Sequence, residues 1–329
     1  MMNPSNFIFI LSLVSGTFIS ISSSSWLGMW MGLEMNLLSF IPLINKNKSP
    51  YETESAMKYF LVQAMASVLF IVAVLMNEMT EFSMNIHSYL ISMALMTKMG
   101  AAPFHFWFPT VMEGLDWMSC FILMTWQKLA PFILISYKII NNLMILTIFM
   151  STLVGSVGGL NQNSIRKMMA YSSISHLGWM LSAMLISNNL WFMYFIIYSL
   201  LNLAVIYIFY SQSMNNLSQS YFIKNNPTVK FSMMVSMLSL AGLPPFLGFL
   251  PKWMVIQNLV MQKSFFILLF MVMTTLMTLY FYMRMMFSSF LFMNQEIKWY
   301  SAKFPSELVT LSMMVSISGI PLMTWLMLY

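Results

Sequence analysis

The stretch that decides the fold is an apolar run interrupted by a lysine, a glycine and a proline: Leu95-Met-Thr-Lys98-Met-Gly100-Ala-Ala-Pro103-Phe-His105-Phe-Trp107. The surrounding segment, about 89–109, is long enough to cross a bilayer as a helix. A lysine at mid-depth costs about 2.5–3.5 kcal/mol on insertion scales, so it is rare there without a role. Pro103 lacks an N–H and frees the carbonyl of Met99, and Gly100 makes bending easier. The pattern predicts a transmembrane helix that is broken beside a basic group.

This break has two interpretations. Breaks at membrane depth occur where they are buried in protein or line a water-filled cavity, which indicates a functional site. If the helix kept its period, His105 would then share a face with Lys98. In the second interpretation the proline only kinks the helix, and the lysine is paired for structural reasons alone. The rest of the sequence favours the first interpretation.

The composition places the whole chain in a membrane. Hydrophobic residues make up 59% and charged residues 7% of its 329 residues, whereas soluble domains carry about 25% charged residues. Cys120 is the only cysteine, which excludes an internal disulfide and any cysteine-rich metal or iron–sulfur site. The net charge of +6 comes from basic residues scattered between apolar segments, a pattern that loop topology explains better than nucleic-acid binding. The sequence also contains no Gly-rich dinucleotide or P-loop fingerprint.

Apolar runs of bilayer length predict an all-α polytopic membrane protein with about eleven transmembrane helices. The predicted spans are 5–22, 25–44, 56–76, 88–109, 117–140, 144–160, 168–187, 191–211, 231–260, 265–288 and 307–328. The ninth is too long for one straight crossing and contains Gly242-Leu-Pro244-Pro245, so we expect it to be broken. Since no connection is large enough to form a soluble domain, residues 1–329 are predicted to form a single transmembrane domain.

The two predicted breaks share a sequence pattern. The segments beginning at Gly100 and Gly242 both have the form Gly-x-x-Pro-Phe, offset by 142 positions (242 minus 100). The same offset places Glu34 opposite His176. Because transporters built from inverted repeats carry broken helices at corresponding positions, the pattern suggests an inverted-repeat arrangement. The lysines near the breaks do not follow the offset, because Lys98 precedes its break in the sequence and Lys252 follows the other.

Charges in the connections predict the orientation of the chain. With about eleven spans, the connections after even-numbered helices share one side of the membrane. That side holds most of the basic loop residues: Lys46, Lys48, Arg166, Lys167, Lys224, Lys230, Lys298 and Lys303. The opposite side holds Lys263, with Glu78 and Glu81. The asymmetry places the amino terminus on the positive side, which is the matrix side in a mitochondrial inner membrane.

Five ionisable side chains fall near the centres of predicted helices: Glu34, Lys98, Lys128, His176 and Lys252. Any one of them could be a satisfied structural pair, but five at similar depth suggest a polar track in the membrane plane. A free lysine keeps its proton up to about pH 10, and burial lowers that limit by several units. A histidine, which ordinarily titrates near about pH 6.5, suits a relay between lysines. The row therefore predicts proton transfer by loading and unloading successive sites.

The other polar residues of the spans have weaker claims to a role. Serine hydroxyls at positions 172, 173 and 175 could orient bridging waters, or serve only as small residues for helix packing. Lys58, Lys138 and Arg284 fall near helix ends, where long side chains can reach water. We expect these three to be structural.

Four blocks of sequence carry a family resemblance: Lys98-Met-Gly-Ala-Ala-Pro-Phe-His-Phe-Trp107, Gly159-Leu-Asn-Gln162, Arg166-Lys-Met-Met-Ala-Tyr-Ser-Ser-Ile-Ser-His-Leu-Gly-Trp179 and Leu243-Pro-Pro-Phe-Leu-Gly-Phe-Leu-Pro-Lys-Trp253. Over essentially the whole chain, it resembles the antiporter-like membrane subunits of respiratory complex I, the mitochondrial NADH–ubiquinone oxidoreductase. It is similar to the animal form, which lacks the first helices of bacterial relatives. The resemblance implies that Glu34 and Lys98 form a coupled pair and that Lys128 is the bridging lysine. It also implies that Lys252 is the exit-side lysine and that His176 lies on the connecting hydrophilic axis.

The resemblance further implies a proton-translocating subunit of an enzyme whose redox site lies elsewhere. NADH, FMN, iron–sulfur clusters and ubiquinone would be used by other subunits, and this chain would bind no cofactor and no metal. Its partners would be other core and accessory subunits of the membrane arm and inner-membrane lipids, with no nucleic acid. The alternative is a stand-alone cation/proton antiporter subunit of the related type. A membrane scaffold without transport activity is disfavoured by the mid-depth charges.

Overall fold

The computed structural model describes residues 4–46, 49–79, 86–219, 227–291, 313–314 and 316–319. Regular secondary structure in these residues is helical, apart from one isolated antiparallel bridge between Ser164 and Asn216. The predicted all-α fold is therefore confirmed. The chain divides into two compact units, residues 1–147 and residues 148–329.

Each unit is a set of helices joined by short connections. The first unit contains α1 (Pro4–Ser22), α2 (Trp26–Ile44), α3 (Pro50–Met79), α4 (Ile86–Met99), α5 (Trp107–Gly114), α6 (Trp117–Met124) and α7 (Trp126–Tyr137). Helix α8 (Asn141–Gly159) contains the boundary between the units. The second unit continues with α9 (Ile165–Ile186), α10 (Asn188–Ser211), α11 (Pro227–Ala241), α12 (Phe249–Met261) and α13 (Phe265–Leu291).

Serine caps mark several of the helix starts. Ser25 Oγ accepts a hydrogen bond from Gly28 N (3.2 Å) before α2, and Ser187 Oγ accepts one from Leu190 N (3.4 Å) before α10. Such caps satisfy backbone donors that have no partner inside the helix. Ser25 and Ser187 thus mark where one apolar helix ends and the next begins.

Seven helices of the described chain are long and apolar enough to cross a membrane: Ser5–Ser22, Trp26–Ile44, Pro50–Met76, Trp117–Tyr137, Asn141–Gly159, Asn188–Ser211 and Phe265–Phe287. They correspond to seven of the predicted spans. Three more predicted spans, 88–109, 168–187 and 231–260, correspond to α4 with α5, to α9, and to α11 with α12. The last, 307–328, lies outside the described residues except for 313–314 and 316–319. The chain is a multi-pass membrane protein.

The first break begins with a glycine cap at the end of α4. Gly100 has φ of +73° and donates its N–H to Thr97 O (3.1 Å), while Ala101 N donates to Met96 O (3.1 Å). These two bonds form a Schellman motif, in which glycine avoids the steric cost of a left-handed residue. Helical structure resumes only at α5, so His105 lies within the break. His105 and Lys98 therefore do not share one helix face, because the helix does not continue from one to the other.

The second break begins in the same way at the end of α11. Gly242 has φ of +80° and donates to Ser239 O (3.1 Å), while Leu243 N donates to Leu238 O (3.4 Å). The two segments with the form Gly-x-x-Pro-Phe therefore both end a half-helix with a Schellman motif. Their sequence similarity reflects a common local structure.

A third interruption lies at Thr125. The proline that follows Lys128, Pro131, lies inside α7 and does not end that helix. Thr125 has φ of −114° and ψ of −73°, and Lys128 N donates to Thr125 O (3.1 Å) in a tight first turn. Pro131 has no N–H to donate to the carbonyl of Gln127, and α7 nevertheless continues to Tyr137.

A guanidinium fixes the connection that follows α8. Arg284 of α13 donates from Nη1 to Leu160 O (2.6 Å) and from Nη2 to Gln162 O (2.7 Å). The start of α9 is bonded in turn to the segment that follows α10: Arg166 Nη2 donates to Asn215 Oδ1 (2.7 Å). Arg284 therefore has the structural role expected from its position, with backbone carbonyls as its partners.

Candidate functional site

In the first unit, Glu34 of α2 and Lys98 of α4 lie opposite each other. Lys98 Nζ is 4.0 Å from Glu34 Oε1, and the two side chains are 4% and 24% exposed, respectively. Helix α2 can approach α1 closely because Gly32 has no side chain, and a Cβ there would meet the backbone of Gly16 and Ser20. At this separation the opposite charges of the two side chains attract each other. The arrangement can couple protonation of the lysine to the state of the carboxylate.

Lys128 of α7 is buried against the first break. Its side chain is among the largest fully buried ones, and Nζ lies 4.9 Å from the centre of the Phe108 ring. An aromatic face at this distance stabilises an ammonium group. Phe108, at the start of α5, packs against Gly100, where a Cβ would lie 3.1 Å from Phe108 Cβ. The broken helix therefore supplies the surface against which Lys128 rests.

Lys252 of α12 binds the carbonyl end of α11 in the second unit. Its Nζ donates to Ala241 O (2.8 Å), the carbonyl of the last residue of α11, and lies 5.9 Å from the centre of a Trp179 ring. Gly242 leaves the necessary room, since a Cβ there would lie 3.0 Å from Nζ. The partial negative charge of a helix carboxyl end favours a cation. The second break therefore creates the binding position of the ammonium group.

His176 of α9 lies among tyrosines of α10. Its Nδ1 is 2.9 Å from the hydroxyl of Tyr194, and its ring centre is 5.1 Å from that of Tyr198. The contact with Tyr194 fixes the orientation of the imidazole ring. The hydroxyls of the serines at 172, 173 and 175 each donate to a carbonyl of α9 itself, at 2.7–2.8 Å.

The remaining basic side chains near helix ends have local partners. Lys58 forms an exposed ion pair with Glu54 (2.6 Å) on the same helix. Lys138, at the end of α7, has Nζ 2.6 Å from His87 Nε2, and burial lowers the pKa of this lysine. Neither lysine lies in the buried sites described above. Among the residues that the structure describes, no group of three or more His, Cys, Asp or Glu side chains could hold a metal ion.

Comparison with known proteins identifies the family. Residues 23–278 match the model described as NADH:quinone oxidoreductase/Mrp antiporter, transmembrane. The chain belongs to this family. Proteins named NADH-ubiquinone oxidoreductase chain 2 are similar to it: that of Anopheles gambiae is 52% identical over 90% of this chain and 89% of its own length. That of Sus scrofa is 41% identical over 88% of both. The family resemblance found in the sequence is confirmed.

Solved structures show the same antiporter fold. A chain in respiratory complex I from Thermus thermophilus with bound aureothin matches with a TM-score of 0.84 and 23% identity, over 98% of this chain and 78% of that one. A chain in the Mrp complex from Dietzia sp. matches with a TM-score of 0.74 and 17% identity, over 86% and 60%. At these identities the matches establish the fold alone.

In this member of the NADH:quinone oxidoreductase/Mrp antiporter family, each compact unit holds one glycine-broken helix with a lysine at its carbonyl end. Lys98 lies in the last turn of α4, whereas Lys252 follows its break and reaches back to Ala241 O. The two lysines are on opposite sides of their breaks in sequence, yet both lie near the end of the first half-helix. The sequence offset alone did not reveal this correspondence.

Four neutral polar residues near Lys98 were also absent from the sequence prediction: Asn36, Tyr59, Gln63 and Gln127. Gln127 Nε2 donates to Asn36 Oδ1 (3.1 Å), and the Tyr59 hydroxyl donates to Gln127 Oε1 (3.4 Å). Gln63 Nε2 donates to the backbone carbonyl of Lys98 (3.3 Å). The sequence signal that could have revealed them is the presence of amide side chains in apolar helices, because a buried amide requires a hydrogen-bond partner from a neighbouring helix. Their convergence from three helices becomes visible only in the folded chain.

Proposed function

We propose that this chain is the core membrane-arm subunit of respiratory complex I that its chain 2 relatives represent. It couples electron transfer from NADH to ubiquinone to proton translocation across the mitochondrial inner membrane. The observation that carries this proposal is the set of buried lysines at helix breaks, in a chain whose relatives are named as subunits of that oxidoreductase. A buried lysine is costly in a membrane and is retained where charge must move.

In this proposal the proton relay consists of Glu34, Lys98, Lys128, His176 and Lys252, and residues 1–329 act as one transmembrane domain. Approach of a negative charge stabilises a lysine's ammonium form, and its withdrawal favours release of the proton. The 4.0 Å separation between Glu34 and Lys98 supports such coupling at the start of the row. Lys128 passes the proton onward from Lys98, His176 transfers it along the row, and Lys252 releases it on the exit side.

The redox reaction belongs to other subunits in this account. NADH, FMN, the iron–sulfur clusters and ubiquinone are bound outside this chain, whose partners are the other core and accessory subunits of the membrane arm and inner-membrane lipids. The amino terminus faces the matrix. The distribution of loop charges supports this orientation, and the single cysteine supports the absence of an iron–sulfur cluster.

The second candidate function is that of a stand-alone cation/proton antiporter subunit. The structural similarity to a chain of the Mrp complex favours it. The two functions differ in assembly, because only a complex I subunit migrates with a very large NADH-oxidising particle in a native gel after mild detergent extraction. Migration as a small particle without NADH oxidation would favour the antiporter.

The proposal is tested by replacing Lys252 with methionine in the assembled complex. Methionine keeps an apolar stem and removes the charge, so the helix should remain inserted. We expect NADH-driven proton pumping per NADH oxidised to fall. The matched control is Lys263→Met, since Lys263 is an exposed lysine in the connection between α12 and α13. Equal pumping by both variants would contradict the role of Lys252.

A further inference from the structure

An apolar groove opens on the surface of the first unit, beside the first break. Its lining comes from α4, from the break and from the start of α8: Tyr89, Met93, Pro103, Phe104 and four side chains within residues 142–147. Met93 and Phe104 are each 39% exposed and Leu146 is 54% exposed, so the groove is open to its surroundings. Because the chain is a multi-pass membrane protein, those surroundings are the bilayer or another protein in it.

The size and lining of the groove suit a hydrocarbon chain. Its volume is about 240 Å³. An apolar cavity of about 150 Å³ in another protein stays dry and binds benzene, and on that scale this groove has room for on the order of ten carbons. The hydroxyl of Thr147, one of its few polar groups, already donates to Met144 O (2.9 Å). The groove therefore favours an apolar occupant over water.

One end of the groove lies at the membrane surface, next to Lys138. This lysine lies between two membrane-length helices, Trp117–Tyr137 and Asn141–Gly159, and therefore at headgroup depth. Asn142, which lines the groove, follows Lys138 by four residues, so their Cα atoms are at most about 14 Å apart. From Asn142 the lining continues to Thr147, about 7 Å further along α8. The groove thus leads from the surface toward the bilayer interior.

The ammonium group of Lys138 is held in place by a histidine of α4. Lys138 Nζ is 2.6 Å from Nε2 of His87, a side chain that is 7% exposed. An ammonium group can only donate, so Nε2 accepts and two N–H groups remain for another acceptor. Burial lowers the pKa of Lys138, and an anion beside the ammonium group would offset that effect. Basic side chains in such places between membrane helices attract anionic headgroups.

We propose that the groove binds one acyl chain of an anionic phospholipid, whose phosphate accepts hydrogen bonds from Lys138. A phospholipid satisfies both ends of the site, because it joins an anionic phosphate to an apolar chain. A free phosphate would satisfy Lys138 alone, and a plain hydrocarbon would satisfy the groove alone. The inference goes beyond the proposed function, since it depends on the membrane location of the chain and not on the proton relay. It gives Lys138 a ligand in addition to its structural place at the end of α7.

The first test is photolabelling of the unmodified, assembled complex in phosphatidylcholine vesicles. The probes are trace amounts of phosphatidylglycerol or phosphatidylcholine, each with the same photoreactive group in one acyl chain. We expect phosphatidylglycerol to label Met93, Phe104 and Leu146 more strongly than phosphatidylcholine does, because choline neutralises the charge of the phosphate. Equal labelling by both lipids overturns the inference. So does labelling by neither, which would show that another protein covers the groove.

The second test is Lys138→Gln, which removes the charge and keeps a polar side chain. We expect labelling by phosphatidylglycerol to fall roughly fivefold, the factor for one basic residue near an anionic membrane surface. Labelling by phosphatidylcholine should not change. The matched control is Lys263→Gln, since Lys263 is also an exposed lysine between two membrane helices but lies outside the groove. Equal labelling of the Lys138 and Lys263 variants would contradict the inference.

The third test fills the groove with a larger side chain. Leu146→Trp should abolish labelling of Met93 and Phe104 by both lipids, because the indole takes the place of the acyl chain. The matched control is Leu153→Trp, since Leu153 lies two turns further along α8 with 42% exposure and outside the groove. Unchanged labelling in the Leu146 variant would show that the chain binds elsewhere. All three tests measure lipid contact and not pumping, so their failure would leave the proposed relay intact.

Discussion

At the scale of single residues, the three buried lysines lie against three different kinds of stabilising group. Lys98 faces the carboxylate of Glu34, Lys128 lies over the ring of Phe108, and Lys252 binds the carbonyl of Ala241. A full countercharge stabilises an ammonium group more strongly than an aromatic face or a single carbonyl. The lysines should therefore respond differently when their partners are removed.

The pair of Glu34 and Lys98 offers the clearest prediction at this scale. Removing one partner leaves a buried charge without its partner, a loss that can reach about 3–5 kcal/mol. The double variant Glu34→Gln with Lys98→Met should assemble better than the worse single variant, yet should not pump. A double-mutant cycle on the yield of assembled complex is the measurement, since contacting residues are non-additive. Strictly additive losses would mean that the two groups do not interact.

At the scale of helices, the sequence predicted the breaks at Gly100 and Gly242, whereas the interruption at Thr125 was not predicted. Gly100 and Gly242 are followed by prolines, and both end a half-helix in a left-handed conformation. Thr125 gave no comparable signal, because a threonine hydroxyl bonded to the carbonyl four residues earlier, as here to Phe121 O at 2.7 Å, also occurs in continuous membrane helices. Pro131 would be expected to disturb a helix, yet α7 continues through it.

The contact between α13 and the connection after α8 predicts how strongly one arginine of α13 stabilises the chain. Arg284 spans the carbonyls of Leu160 and Gln162 with two nitrogens of one planar group, which a lysine cannot do. Arg284→Lys should lose at least one of these bonds and destabilise the assembled chain by about 1–3 kcal/mol. Thermal inactivation of the complex measures this loss. A lysine variant as stable as the original would show that charge alone matters at this position.

At the scale of the whole molecule, fold and family could be predicted from the sequence more fully than the site. Apolar runs predict the approximate bounds of seven membrane-length helices of the described chain, since a bilayer sets their length. The cluster around Gln127 could not be predicted, because its members come from three helices and carry no charge. Contacts of this kind depend on helix rotation and register, which apolar composition does not specify.

The predicted orientation can be tested with engineered cysteines. Cys120 is fully buried, so it should give little background with a membrane-impermeant thiol reagent. Exposed positions in connections on opposite predicted sides are Lys46 and Lys263. Lys46→Cys should react only from the matrix side, and Lys263→Cys only from the intermembrane side. The reverse pattern would place the amino terminus outside the matrix.

The central claim is that buried lysines move protons, and Lys128, which is fully buried beside Phe108, tests it directly. The measurement is the number of protons pumped per NADH oxidised by complex carrying Lys128→Met, with the amount of assembled complex determined in the same membranes. Methionine removes a costly charge and preserves the apolar stem, so assembly should be retained. We predict that pumping falls much further than assembly. Pumping that declines only in proportion to the amount of complex would show that Lys128 is structural and would contradict the account.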